Sequence, residues 1–205
     1  MIGALQVQAF RATGEVVYLD RAAAEAVAYL DRLQQPNGLF HHGPEAPFFW
    51  GRGNGWVAAG LAEIISELPE DHSDMPRLRE GYAATMRALL EHQAADGMWR
   101  QLIDDEDSWK ETSSTAMFGF AIAKGVGAGL LDEDAYRDSA RRAWAALQGY
   151  LTEDGQLREV CVGTGQSGEA QYYLDRPRVT CDFHAQAPLL WFASALLEGE
   201  DMIGL

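Results

Sequence analysis

The stretch Pro36-Asn37-Gly38-Leu39-Phe40-His41-His42 predicts the end of one helix and a short extended piece after it. The same arrangement, a helical pattern that stops at a glycine and continues as an extended piece, recurs at Gly97 and at Gly155. The intervals between the three glycines are 59 and 58 residues. A fixed period of this length is typical of repeat architectures, in which each repeat packs on its neighbours. The sequence therefore predicts a series of helical hairpins.

Apolar spacing and turn residues predict seven helices. They cover, approximately, residues 1–12, 16–34, 53–68, 75–94, 111–129, 132–151 and 182–197. In each hairpin the inner helix is richer in glycine, alanine and serine than its outer partner, which suits helices crowded around an axis. We expect an all-α fold, an (α/α) toroid that is incomplete relative to a six-hairpin barrel of roughly 350 residues. A short open solenoid is the alternative, and we expect residues 1–205 to form one domain without the N-terminal hairpins.

Composition excludes several classes of partner. The net charge of −15 argues against a nucleic-acid backbone or an anionic membrane, because both bind clustered lysine and arginine. No apolar run approaches the twenty or so residues that span a bilayer. Cys161 and Cys181 form neither a disulfide framework nor a zinc motif, and no cluster has convincing metal-ligand spacing. With no secretory signal at the N-terminus, a cytoplasmic location is predicted.

The segment Phe48-Phe-Trp-Gly-Arg-Gly-Asn-Gly-Trp56 carries the chemistry most typical of a binding site. Trp50 and Trp56 could stack on the apolar face of a sugar, and Arg52 could hold a carboxylate through two parallel hydrogen bonds. His41 and His42 fall at the same end of the repeat, where they could contact a hydroxyl or a carboxylate. The segment predicts a pocket for an acidic sugar. The alternative is a helix entry with two core tryptophans and a surface arginine.

Three other features of the sequence bear on function. The run Gly163-Thr-Gly-Gln-Ser-Gly168 matches a dinucleotide fingerprint, but helices surround it and no βαβ unit is predicted, so a loop over a pocket rim is expected. Asp182 beside His184 forms an acid–histidine pair, and the aspartate also suits the N-cap of the last helix. The acidic run that begins at Asp104 is expected to be a solvated loop.

Several segments carry a resemblance in chain order. They are Gly38-Leu-Phe-His-His-Gly43, Phe49-Trp-Gly-Arg-Gly-Asn-Gly-Trp56, Lys110-Glu-Thr-Ser-Ser-Thr-Ala-Met-Phe118, Ala121-Ile-Ala-Lys-Gly125, Val162-Gly-Thr-Gly165 and Asp182-Phe-His-Ala-Gln-Ala-Pro188. Over essentially the whole chain, the sequence resembles the unsaturated glucuronyl and rhamnogalacturonyl hydrolases of glycoside hydrolase families 88 and 105.

The resemblance implies a six-hairpin (α/α) barrel that hydrates the C4=C5 double bond of an unsaturated uronic acid at the end of an oligosaccharide. No metal or organic cofactor is implied. The family's binding residues match His42, Trp50, Arg52 and Trp56, and His184 is a further binding candidate.

The same resemblance places the proton-donating aspartate just before residue 1 and a second functional aspartate further upstream. Ala185 and Ala187 stand where glycine-type residues are more usual. We therefore expect a fragment or shortened relative that is weak or inactive by itself. The catalytic residue is unassigned, with Asp182 and then Asp104 as candidates.

Two competing functions remain open at this point. A sugar epimerase of the N-acylglucosamine type also uses an (α/α) barrel and would need His42 and His184 to face each other across a pocket. A helical assembly module without catalysis would instead use the apolar surface that an incomplete toroid exposes, for example to self-associate.

Overall fold

A computed structural model describes residues 2–198 of the chain. Its helices are α1 Ile2–Thr13, α2 Val17–Leu33, α3 Gly51–Glu67, α4 Met75–His92, α5 Thr112–Gly127, α6 Glu133–Gln148, α7 Ala170–Leu174 and α8 Phe183–Glu198. Two-residue strands β1 Val160–Cys161 and β2 Arg178–Val179 pair antiparallel. The all-α prediction is confirmed, and all seven predicted helices are present. The eighth, α7, was missed because five residues are too short to show a helical period.

Helix α3 begins at Gly51, earlier than the glycine-rich sequence suggests. Glycine has a low helix propensity, so the first turn needs support from elsewhere in the fold. Asn54 supplies part of it: its side-chain oxygen accepts from Phe40 N at 2.8 Å, and its amide donates to Phe40 O at 2.9 Å. The backbone N–H of Gly51 donates to Gln101 O at 2.8 Å. Tertiary hydrogen bonds therefore hold this turn in helical form.

The helices form an inner and an outer layer. Helices α1, α3, α5 and α8 contact one another in series, and α2, α4 and α6 lie outside them. Helix α5 is buried along nearly its whole length, whereas α6 buries a single stripe. Small residues permit close approach of the inner helices, and a Cβ on Gly119 of α5 would lie 2.2 Å from the Phe192 ring of α8. This arrangement agrees with the inner and outer helices expected from composition.

The repeat seen in the sequence is a structural repeat. Gly38, Gly97 and Gly155 all have positive φ, at 89°, 87° and 79°. A glutamine lies four residues before each of the first two glycines, and its side-chain amide donates two hydrogen bonds. Gln34 donates to Gly38 O and to Gly81 O of α4. Gln93 donates to Gly97 O and to Ser139 O of α6. A Cβ on Gly38 or Gly97 would lie 2.4 Å from a carbonyl oxygen of α4 or α6, respectively.

The third repeat ends differently. A Cβ on Gly155 would meet nothing within 4 Å in the part of the chain that the structure describes, and Leu151 takes the place of the glutamine. This turn therefore lies at an open edge of the ring, where no described outer helix packs on it.

Large apolar side chains are exposed on the first and last inner helices. Ile2 and Leu5 of α1 are 60% and 68% exposed, and Phe183 and Leu190 of α8 are 87% and 67% exposed. An inner helix in a closed ring has a neighbour on both sides, so these faces correspond to the two ends of an incomplete toroid. Within residues 2–198, no helix is long and apolar enough to cross a membrane.

Candidate functional site

A groove of about 340 Å³ opens between α1, α2 and α3. Its size is within the range of small-ligand sites. Four of the residues named as binding candidates line it: His41, His42, Trp50 and Trp56. The wall also includes Ile2–Ala4 of α1 and Glu25 of α2, a carboxyl group that the sequence analysis did not select. The structure thus brings together aromatic rings, an imidazole and a carboxyl group.

His42 is half-buried and is held by aromatic neighbours. Its ring lies 4.5 Å from the Trp50 ring, and its Nδ1 is 2.8 Å from the hydroxyl of Tyr173. Burial lowers the pKa of His42, because removal from water penalises the charged imidazolium. The ring is therefore a neutral hydrogen-bonding group at neutral pH.

The two tryptophans contribute different surfaces to the groove. Trp50 is 7% exposed, and its Nε1 is buried with no hydrogen-bond partner among the described residues. Trp56 is partly exposed and meets Trp191 of α8 edge to face, with 5.9 Å between the ring centroids. A buried indole N–H usually has a partner. The unpartnered Nε1 of Trp50 is out of reach of solvent, so the two tryptophans contribute ring surface to the groove.

Arg52 has a different place from the one predicted. Its side chain is 1% exposed and is not part of the groove wall. Its two terminal nitrogens donate to Cys161 O at 2.5 Å and to Val162 O at 2.6 Å, and the guanidinium lies 4.9 Å from the Trp50 ring. In this structure Arg52 holds the backbone at residues 161–162 behind Trp50. Direct contact between Arg52 and a uronate carboxylate stays a prediction.

Glu111 is a buried carboxylate that the sequence analysis quoted only as part of a motif. It is the N-cap of α5 and is 0% exposed. It accepts hydrogen bonds from the backbone N–H groups of Ser113, Ser114 and Cys161 and from the Ser113 hydroxyl. The backbone N–H of Cys161 thus donates to Glu111, and the backbone C=O of Cys161 accepts from Arg52. This network fixes β1 against the starts of α3 and α5.

Asp182 and His184 form the predicted pair at the start of α8. The Asp182 carboxylate accepts from His184 N at 2.8 Å and lies 2.6 Å from His184 Nδ1, so it also caps the helix. Partial burial raises the pKa of Asp182, but its hydrogen bonds with His184 and the positive charge of Arg52 together lower it more, and the net shift is downward. Asp182 is therefore a poor proton donor at neutral pH.

His184 does not share the groove with His42. It is exposed, is paired with Asp182, and is not part of the groove wall. Asp104 is also exposed, on the turn that follows Ile103, and lies outside the groove wall. The solvated loop expected for the acidic run is therefore what the structure contains. Within residues 2–198, no group of three His, Cys, Asp or Glu side chains could hold a metal ion.

The irregular stretch 162–180 covers one side of the His42 segment. Gln166 donates to His42 O at 3.1 Å, and Tyr173, 0% exposed, packs against Phe48 and His42. Trp50 and Tyr173 belong to a small apolar cluster separate from the main core. The glycine-rich run 163–168 is thus part of a loop, as expected; it contacts the His42 segment and is not part of the groove wall. Tyr173 had no sequence signal, because its partners are more than a hundred residues away.

Comparison with known proteins shows relatives both longer than this chain and of similar length. An unsaturated 3S-rhamnoglycuronyl hydrolase from Alteromonas sp. (strain LOR) is 38% identical over 116 residues, which cover 56% of this chain and 28% of that protein. Protein Atu3128 of Agrobacterium fabrum is 27% identical over 226 residues, covering 94% of this chain and 97% of that protein. The chain therefore spans less than a third of the first relative and nearly all of the second.

The fold has a close match among solved structures. A possible member of the GH105 family from Salmonella enterica superimposes with a TM-score of 0.87 at 24% identity, and the match covers 95% of this chain and 53% of that one. This likeness shows the (α/α) toroid fold. Residues 1–198 match the sequence model of the family Glycosyl Hydrolase Family 88. With the helical repeat, the Trp50–Trp56 segment and this match over nearly its full length, the chain belongs to glycosyl hydrolase family 88.

Proposed function

We propose that this chain acts on oligosaccharides that end in a 4,5-unsaturated uronic acid, as a hydrolase that hydrates the C4=C5 double bond. The observation that carries the proposal is the groove in which His42, Trp50 and Trp56 meet. Indole faces suit the apolar face of a sugar ring, and both tryptophans line this groove. Membership of family 88 and the name of the Alteromonas relative support the same class of substrate.

The uronate carboxylate would be favoured by the charge behind Trp50. Arg52 is a permanent cation that stacks on the indole at 4.9 Å, and its charge acts over a short distance in a partly desolvated groove. His42, neutral because burial lowers its pKa, contributes a hydrogen bond instead of a charge. We propose that Arg52 attracts the carboxylate through the Trp50 ring and holds the 161–162 backbone at the same time.

In the proposed reaction a proton adds to C4 and water adds at C5. The resulting hemiketal opens and releases the remaining saccharide. The groove contains one carboxyl group among the residues that line it, Glu25, whereas Asp182 lies outside it and has a lowered pKa. We propose that turnover by this chain alone is weak, since the candidate acid Asp182 lies outside the groove and its pKa is lowered.

Binding and turnover should be measured on the same unsaturated glucuronyl and rhamnogalacturonyl disaccharides. Calorimetric titration reports binding, and the loss of the double-bond absorbance reports hydration. We expect measurable binding, little turnover, and no binding of the saturated disaccharides. Neither binding nor turnover on any unsaturated disaccharide would overturn the proposal. Rapid turnover would contradict the weak-activity part, and the variants Glu25→Gln and Asp182→Asn would then identify the acid.

A matched pair of tryptophan variants tests the groove itself. Trp50 and Trp109 both have a buried, unpartnered Nε1 and a stacked arginine, with Arg178 lying 5.1 Å from the Trp109 ring. Only Trp50 lines the groove. We expect Trp50→Phe to weaken disaccharide binding about tenfold, from the lost stacking area. Trp109→Phe should leave binding unchanged, and equal effects of the two changes would show that the groove is not the binding site.

The structure gives the epimerase alternative no support. That reading needs His42 and His184 on opposite sides of one pocket, and only His42 lines the groove. The assembly alternative is compatible with the exposed faces of α1 and α8, and self-association through them stays a prediction.

A further inference from the structure

The hydroxyl of Tyr173 lies between His42, which lines the groove, and Ser167 of the loop 163–168. Tyr173 is 0% exposed, and burial raises its pKa, so the hydroxyl keeps its proton. Three groups surround the oxygen: His42 Nδ1 at 2.8 Å, Ser167 N at 3.2 Å and Ser167 O at 3.4 Å. Ser167 N can only donate to it. The single hydroxyl proton must therefore point to His42 or to the carbonyl of Ser167.

The distances favour His42. Hydrogen bonds between two oxygens are normally 2.5–3.0 Å long, and the separation from Ser167 O exceeds that range, whereas the separation from Nδ1 is an ordinary hydrogen-bond length. When the hydroxyl donates to Nδ1, that nitrogen is an acceptor and carries no proton. The ring proton of a neutral histidine is then on Nε2. The tautomer of His42 thus follows from the one hydroxyl proton of Tyr173.

We propose that Tyr173 is a positioning residue that fixes His42 as the neutral Nε2–H tautomer, with that N–H directed to an acceptor oxygen of the bound sugar. The inference rests on the proposed function in one respect, namely that His42 contacts the substrate. Nε2 has no hydrogen-bond partner among the described residues, and His42 lines the groove. Ring contacts with Trp50 at 4.5 Å and Tyr173 at 5.6 Å hold the imidazole plane in place.

Tyr172 provides a matched control. Its hydroxyl also accepts a hydrogen bond from the loop 163–168, from the backbone N–H of Gly165 at 3.0 Å. Its ring packs on Tyr173. It makes no contact with His42 among those the structure shows. Tyr173→Phe and Tyr172→Phe each remove one hydroxyl that holds the loop. Only the first removes a partner of the histidine.

Nitrogen-15 NMR of the histidine side chains reports the tautomer directly, with the His42 signals assigned from a His42→Gln variant. We expect a single Nε2–H form in the wild type and in Tyr172→Phe, and a mixture of tautomers in Tyr173→Phe. An Nδ1–H form in the wild type, or a Tyr173→Phe spectrum like that of the wild type, would overturn the assignment.

Titration with an unsaturated uronate disaccharide tests the consequence for binding. Tyr173→Phe should bind about tenfold more weakly, as for a lost directional hydrogen bond, and Tyr172→Phe should bind like the wild type. If Tyr173→Phe changes the tautomer and leaves affinity unchanged, the positioning role is refuted. If the wild type does not bind at all, the proposed function fails, while the NMR result still decides the tautomer.

Discussion

Two inner helices begin with a carboxylate cap, and the caps have very different surroundings. At the start of α5, Glu111 is fully buried and accepts from three backbone N–H groups and one hydroxyl. At the start of α8, the Asp182 side chain is 25% exposed and, among the described residues, it bonds only to His184. The first cap connects α5 to β1, whereas the second serves one helix at the open edge of the ring.

The difference shows where the site derives its rigidity. A buried acceptor whose donors have no alternative partner is costly to remove, because each orphaned N–H loses its bond without gaining water. The hydrogen bonds of a partly exposed cap can be replaced by water. We therefore expect substitutions at the start of α5 and beside Trp50 to destabilise the fold, and substitutions at the start of α8 to be tolerated. Four predictions test this contrast.

The largest effect is expected for Glu111→Ala. The change leaves buried N–H groups of Ser113, Ser114 and Cys161 unpaired, and we expect a loss of roughly 3–5 kcal/mol in the free energy of unfolding. Urea denaturation measures it. Glu111→Gln keeps the shape and one acceptor oxygen, so it should lose less than half as much. A loss below about 1 kcal/mol for the alanine variant would remove the contrast between the two caps.

Arg52→Met should come next. The methionine keeps much of the apolar stem and removes the donors to Cys161 O and Val162 O, and we expect a loss of about 2–3 kcal/mol. Arg178→Met is the control, because Arg178 also stacks on a tryptophan but is exposed and paired with Glu159. It should change stability by less than about 1 kcal/mol. Equal losses would mean that burial of Arg52 is unimportant.

Asp182→Ala should have a smaller and pH-dependent effect. Loss of a helix cap costs about 1 kcal/mol at pH 7. Because the folded pKa of Asp182 is depressed, its charge contributes stability above the unfolded pKa, and this contribution is lost as pH falls through the folded pKa. Thermal unfolding from pH 7 to pH 2 should show wild type and Asp182→Asn converging at the acidic end. A difference that is constant with pH would exclude the charge as its source.

The smallest effect on stability is expected on the exposed face of α8. Leu190→Glu alters a side chain that is 67% exposed, so the free energy of unfolding should change by about 0.5 kcal/mol or less. We predict that it shifts self-association toward monomer, measured by size-exclusion chromatography with light scattering. Val16→Glu, at an exposed apolar position just before α2, is the control. A wild type that is monomeric at every concentration would show the self-association prediction to be wrong.

Local pattern was enough for the helices and part of the groove. Apolar spacing and three glycines at positive φ located the seven long helices and the hairpin repeat. The cluster of His42, Trp50 and Trp56 was predictable because the residues lie within fifteen positions at one turn of that repeat. Residues 42–56 form one short segment that leads into α3, so side chains that are close in the sequence are also close in space.

The partners of Arg52 were not predictable. The residue type suits a carboxylate, and nothing near position 52 indicates that the carbonyls at 161 and 162 take both of its terminal nitrogens. Glu111 was likewise quoted only within a motif, since its burial depends on Cys161, fifty residues away. Tyr173 reaches His42 across 131 positions. Such contacts depend on how the irregular stretch folds back on the ring.

By itself, the sequence determined the all-α architecture, the repeat and the aromatic end of the groove, because helical periodicity, turn glycines and neighbouring side chains are local properties. Only the tertiary structure decided which polar groups have hydrogen-bond partners within the protein. Arg52 and Glu111 are taken up by the backbone near Cys161, while Nε1 of Trp50 and Nε2 of His42 are left without protein partners among residues 2–198. Hydrogen-bond saturation depends on distant parts of the chain meeting, and no local pattern encodes it.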